Sequence, residues 1–161
     1  MKQVSPILAF TLLAAGVCLG QRVPPEQPQP PNQIEIDRLR AEIPKASPAH
    51  QAKLYAELAD YLVDVANQQF DHAESVAGHA TIQEIDQDAV KARDLAISTK
   101  RYRKEVEMLF RKLQRHLEAV KHTLAAEDRP PVDAVEKKLA DMREELLESM
   151  FEPNHKKEEA K

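Results

Sequence analysis

The chain has 161 residues, 31% charged and 4% aromatic, with three glycines, one cysteine, no tryptophan and a formal charge of −4. So few glycines exclude a turn-rich all-β chain and a glycine-rich phosphate loop. One cysteine excludes a disulfide framework, a four-cysteine zinc site and a c-type haem pair, and the mildly acidic balance is not a nucleic-acid signature.

Met1-Lys2 gives a cationic start, and an apolar run follows from Ile7 to Leu19, interrupted by Thr11 and Gly16. The run is shorter than the roughly 20 apolar residues of a membrane span and has the form of a secretory signal, with Cys18 and Gly20 as small residues ahead of Gln21. Residues 1–20 are therefore expected to be a removable leader of an exported chain, periplasmic or extracellular, without a transmembrane span once mature. The alternative lies in Ala15-Gly16-Val17-Cys18, which resembles a lipobox and would anchor the chain through acylated Cys18. Val17 stands where that motif wants a small residue. Residues 21–31 read as a linker. Five of the nine residues in 23–31 are proline, which fixes φ and removes backbone donors, so the segment is expected to be extended.

A single helical domain is expected over 32–152. Asn32 can cap a short helix on Ile34, Ile36 and Leu39, stopped by Pro44. Ser47-Pro48 is a start signal, a capping hydroxyl followed by proline at the first helical position. The helix it opens carries Leu54, Leu58, Tyr61, Leu62, Val65 and Ala66 at spacings of three and four, and ends either at a turn within 71–74 or nearer Gly78. The next holds Ile82, Ile85, Ala89, Ala92 and Ala96, and a fourth holds Tyr102, Val106, Leu109, Leu113, Leu117, Val120 and Leu124. Ser98-Thr99-Lys100 can separate these two, but no strong breaker lies there, so one long helix over 75–126 is the alternative. Glu127-Asp128-Arg129-Pro130-Pro131 is a break, and a last helix over 132–151 runs on Val135, Leu139, Met142, Leu146 and Met150 until Pro153. Residues 153–161 form a charged tail. Long amphipathic helices with short connections predict an all-α, antiparallel up-and-down bundle. With the single-helix alternative they would make elongated hairpins around it.

Chemistry is sparse. Among six histidines only His155, in the tail beyond Pro153, has a glutamate three residues before it, so the paired Glu-x-x-His helices of di-iron bundles are missing. His72 and His79, with Asp71 and Glu74 nearby, would share a face on an unbroken helix and are the candidate metal ligands; a polar helix turn is the plainer reading. No serine has a nucleophile-elbow context. Neither catalysis nor a cofactor is expected. The local anomaly is basic: between 100 and 122 stand eight Lys or Arg against three acids, while 48–77 has five acids and one base. Lys100, Lys104, Arg111 and Arg115 recur at helical spacing opposite the Val106/Leu113/Leu117 stripe. They are the candidate surface-binding residues, for an anionic envelope component or a protein. The plainer reading pairs them with acids on neighbouring helices.

Ala52-Lys53-Leu54-Tyr55-Ala56-Glu57-Leu58-Ala59, Gln68-Gln69-Phe70, Lys91-Ala92-Arg93-Asp94 and Glu127-Asp128-Arg129-Pro130-Pro131 resemble a group of small exported helical proteins of bacteria. The resemblance covers roughly 50–150 and carries no activity with it. Periplasmic helical chaperones are similar at the level of exported hairpins, but their Leu-Thr-x-x-Gln motif is absent. The expected role is a non-catalytic binding or structural module of the cell envelope, with self-association left open. The alternatives are a periplasmic metal-binding or metal-sensing bundle and a chaperone-like hairpin protein.

Overall fold

A computed structural model describes residues 32–151; the expected leader 1–20 with Cys18, the linker 21–31, Pro153 and the tail 153–161 lie outside them. Five α-helices make up the described chain, which contains no strand: α1 Gln33–Glu42, α2 Pro48–Asp71, α3 Ser75–Thr99, α4 Arg103–Thr123 and α5 Arg129–Phe151.

Helix ends follow local chemistry where the sequence provides it. The Ser47 hydroxyl accepts from the His50 amide at 3.4 Å, and Pro48 occupies the first turn, where its missing N–H costs nothing. Pro44 does not stop the chain outright. It sits inside a 3-10 turn, Ile43–Lys45, that extends α1 toward α2. The two prolines expected to separate the last helices are absorbed in the same way. α5 begins at Arg129, three residues earlier than expected, with Pro130 and Pro131 in its opening turn.

The long helix over 75–126 is not formed. Lys100 caps α3 at φ 56° and Tyr102 precedes α4 at φ 58°, both left-handed. That conformation usually selects glycine or asparagine, so neither residue announces the break. Likewise α2 stops at Asp71 and a turn through Ala73, at φ 60°, separates it from α3. At Gly78 an added Cβ would lie 2.6 Å from the Phe70 ring, so the glycine lets that ring close over the start of α3.

The core runs along stripes spaced four and three residues apart: Ala52, Ala56, Ala59, Val63 and Ala66 on α2; Ile82, Ile85, Ala89, Ala92 and Ala96 on α3; Val106, Phe110, Leu113, Leu117 and Val120 on α4; Val132, Val135, Leu139, Met142 and Leu146 on α5. Such stripes bury a coiled-coil-like seam on every helix. Gln69–Thr81 and Tyr55–Lys91 fix the α2–α3 register, which brings Ala59 level with Ala89 and Ala56 level with Ala92. Small side chains at matching levels allow these two helices to approach closely, and they share the most extensive interface.

Successive helices run antiparallel, but the order round the bundle is α2, α3, α5, α4. Asp64–His116 joins α2 to α4, while Arg93–Glu145 and Asp86–Lys138 join α3 to α5, each pair 52 residues apart. The hairpins α2–α3 and α4–α5 thus lie side by side in one register, with α1 packed against α2. Among the described residues, no helix is long and apolar enough to cross a membrane.

Candidate functional site: buried charge pairs and a basic end

The predicted residues do not form one site. His72 is the exposed C-cap residue of α2, while His79 lies on α3, so the turn between them abolishes the shared face that a metal pair needs. His79 Nε2 instead comes within 2.9 Å of Asp128 Oδ1, without hydrogen-bond alignment, and its ring meets the edge of Phe70. Asp128 also accepts from the Ser75 hydroxyl at 3.2 Å. Among the described residues no three His, Cys, Asp or Glu side chains are grouped to hold a metal ion.

The basic stripe is divided as well. Lys100 belongs to the α3 cap rather than to α4. Lys104 is exposed, and among the described residues it has no ion-pair or hydrogen-bond partner. Arg111 donates to Glu107 Oε1 at 2.6 Å, and Arg115 donates to the Arg111 carbonyl at 3.3 Å. Glu107, 3% exposed, also takes two bonds from Arg143 of α5, each 3.2 Å, and Arg143 reaches Gln114 at 2.8 Å. Arg111 thus pairs with an acid of its own helix rather than of a neighbour, and α5 joins the same carboxylate through Arg143.

The densest charged cluster lies between α2 and α4. Asp60, 5% exposed, accepts from Lys112 at 2.7 Å and faces His116 Nδ1 at 3.4 Å. The other ring nitrogen, Nε2, faces Asp64 Oδ1 at 3.1 Å, and Asn32 at the start of α1 donates to Asp64 Oδ2 at 2.7 Å. Burial pushes the Asp60 carboxyl up, but the hydrogen bonds from His116 and Lys112 and their charges outweigh it and hold the group below its ordinary range. The hydrogen bond to Asp60 and the charge of Asp64 raise His116 against the cost of burial. A ring with both nitrogens on carboxylates favours the imidazolium and offers no free base. Sequence reasoning passed over these four residues. Their signal is a pair of carboxylates at i, i+4 on α2 matched by Lys112 and His116 at i, i+4 on α4, which acquires meaning only once α2 and α4 are neighbours.

Another buried acid lines a shallow groove between α1, α2 and α3. Asp88, 3% exposed, accepts from Lys91 at 2.8 Å, and the ammonium lies 5.0 Å from the Tyr55 ring centroid. Arg40–Glu84, 2.7 Å apart, closes one side.

At one end of the bundle the chain gathers cations. The His50 and Tyr102 rings meet edge-on at 6.1 Å, Gln51 Nε2 reaches the Ile43 carbonyl at 2.8 Å, and Arg103 donates to the Ser149 carbonyl. These contacts bring together the 3-10 turn, the start of α2, the α3–α4 link and the end of α5. Lys45, Arg101 and Lys104 are exposed there and, among the described residues, have no ion-pair or hydrogen-bond partner. Comparison with known protein families, curated proteins and solved structures gives no match to this chain.

Proposed function

We propose that the chain is a non-catalytic, exported helical protein that works as a binding module of the cell envelope, held to an anionic component by exposed cations at one end of the bundle. One contrast carries the reading. The buried carboxylates Asp60, Asp88 and Glu107 are spent on pairs within the bundle, whereas Lys45, Arg101 and Lys104 stand exposed at one end and, among the described residues, unpaired. Paired groups hold helices together, and unpaired surface cations are available to an anionic partner. The export half of the proposal rests on the leader-like pattern of residues 1–20.

The test is retention of the purified chain on a washed envelope fraction. Retention that falls with salt, and falls further in the combined variant Lys45→Gln, Arg101→Gln, Lys104→Gln, supports the reading. Retention of parent and variant alike, or of neither, overturns it. Circular dichroism of the variant guards against loss of fold.

A further inference from the structure

We infer that the basic end of the bundle docks end-on against an anionic phospholipid surface. This rests on the envelope-binding reading and names its partner. Two observations at that end carry it beyond bare charge.

The first is the company the cations keep. Phe151 is 81% exposed at the end of α5 and Tyr102 is 39% exposed ahead of α4. The Arg103 bond to the Ser149 carbonyl and the His50–Tyr102 contact hold these two aromatic residues at the same end as Lys45, Arg101 and Lys104. Lys100 adds a further exposed cation, and Glu42, Glu105 and Glu148 are acids on the adjoining turns. Aromatic rings among Lys and Arg suit a bilayer interface, where rings settle at the headgroup level and cations meet lipid phosphates. A purely ionic partner would satisfy the cations and leave Phe151 in water.

The second is polarity along the bundle axis. At the opposite end, the exposed acids Asp71, Glu74 and Glu127 flank the turns that follow α2 and α4, against the exposed Arg129. A bundle acidic at one end and basic at the other is oriented by an anionic surface, basic end first. Side-on docking through Arg111 and Arg115 would leave this polarity unused.

Flotation of the purified chain with vesicles separates these geometries. Vesicles containing phosphatidylglycerol should carry the chain, pure phosphatidylcholine vesicles should not, and added salt should release it. Each surface cation is worth about five-fold in partitioning, so Arg101→Gln with Lys104→Gln should weaken binding about thirty-fold. Phe151→Ser should weaken it about tenfold, as expected for a partly inserted ring, with little change in salt dependence. Arg115→Gln should change it about two-fold at most. An Arg115→Gln effect equal to that of Arg101→Gln overturns the end-on geometry, and an unaffected Phe151→Ser overturns insertion. Retention on envelope fractions without any flotation overturns the lipid partner while the binding module stands. Loss of both overturns the two readings together.

Discussion

Asp60 and Asp88 are both aspartates sunk into seams of α2 and α3, 5% and 3% exposed, yet their carboxyls move in opposite directions. Burial pushes each up. At Asp60, hydrogen bonds from His116 and Lys112 overcome that push and hold the group low. At Asp88 burial prevails over the single bond from Lys91, the charge of Glu84 adds to it, and the group stays high. Two cationic donors outweigh the desolvation of a carboxylate where one half-exposed lysine does not. The α2–α4 seam is therefore held by charge, whereas the groove around Asp88 carries its charge at a cost.

Asp60→Asn breaks the comparison most severely. It leaves Lys112 and His116 without their charged partner, and charge-assisted bonds of this kind are worth about 2 kcal/mol together with the packing they enforce. Urea unfolding near pH 6 should show a loss of that size. A loss below about 0.5 kcal/mol, the range of ordinary surface changes, would mean that the seam does not depend on the pair.

His116→Gln should cost less, about 1 kcal/mol, and only in part of the pH range. His116 is raised in the folded state, so its contribution is complete below the unfolded value of about 6.5 and fades as pH rises through the folded value. Asp60 is lowered, so its contribution is present above about 3.9 and fades as pH falls through its folded value. The charged groups facing the ring are Asp60 and Asp64, with Lys112 sharing Asp60. The gap in unfolding free energy between parent and His116→Gln should thus be widest near pH 5 to 6 and nearly closed by pH 9. A gap that is constant with pH would assign His116 a packing role alone.

How much of this was legible in the sequence depends on how strongly each residue speaks. The branched and leucine stripes of α4 and α5, and the isoleucines Ile82 and Ile85 of α3, point to the helices and the bundle, because those side chains have no other way to leave water. The alanine stripe of α2 was quieter. Leu54 and Leu58 are buried as expected, but Tyr61 and Val65 are only partly buried, while Ala52, Ala56 and Ala59 are fully so. Alanine contributes little to a hydropathy pattern, and α2 is covered by α1, α3 and α4, so its core face is wider than one stripe. Tyr102, expected on the α4 stripe, precedes the helix, while Phe110, outside that stripe, is fully buried. The break at 100–102 rests on left-handed Lys100 and Tyr102, residue types that give no warning. The Asp60–His116 cluster joins residues far apart in the chain, and only the order of helices round the bundle brings them together.

The smallest expected effect has the opposite sign and sharpens the contrast most. Asp88→Asn keeps the shape of the side chain and removes the charge that burial penalises. Lys91 is half-exposed and retains the Tyr55 ring, so its ammonium is not stranded in the interior. The amide oxygen of the asparagine can still accept its hydrogen bond. Because the Asp88 carboxyl is raised on folding, ionising it works against the folded state, and that penalty grows as pH climbs above the unfolded value near about 4. Asp88→Asn should therefore leave stability unchanged at pH 3 and raise it by about 0.5 kcal/mol at pH 8, a shift of about 2 °C in the thermal midpoint. The same replacement at Asp60 should lower the midpoint at pH 8. If Asp88→Asn instead destabilises at pH 8 by as much as Asp60→Asn, then one lysine is enough to offset desolvation, and the number of donors is not what separates the two aspartates.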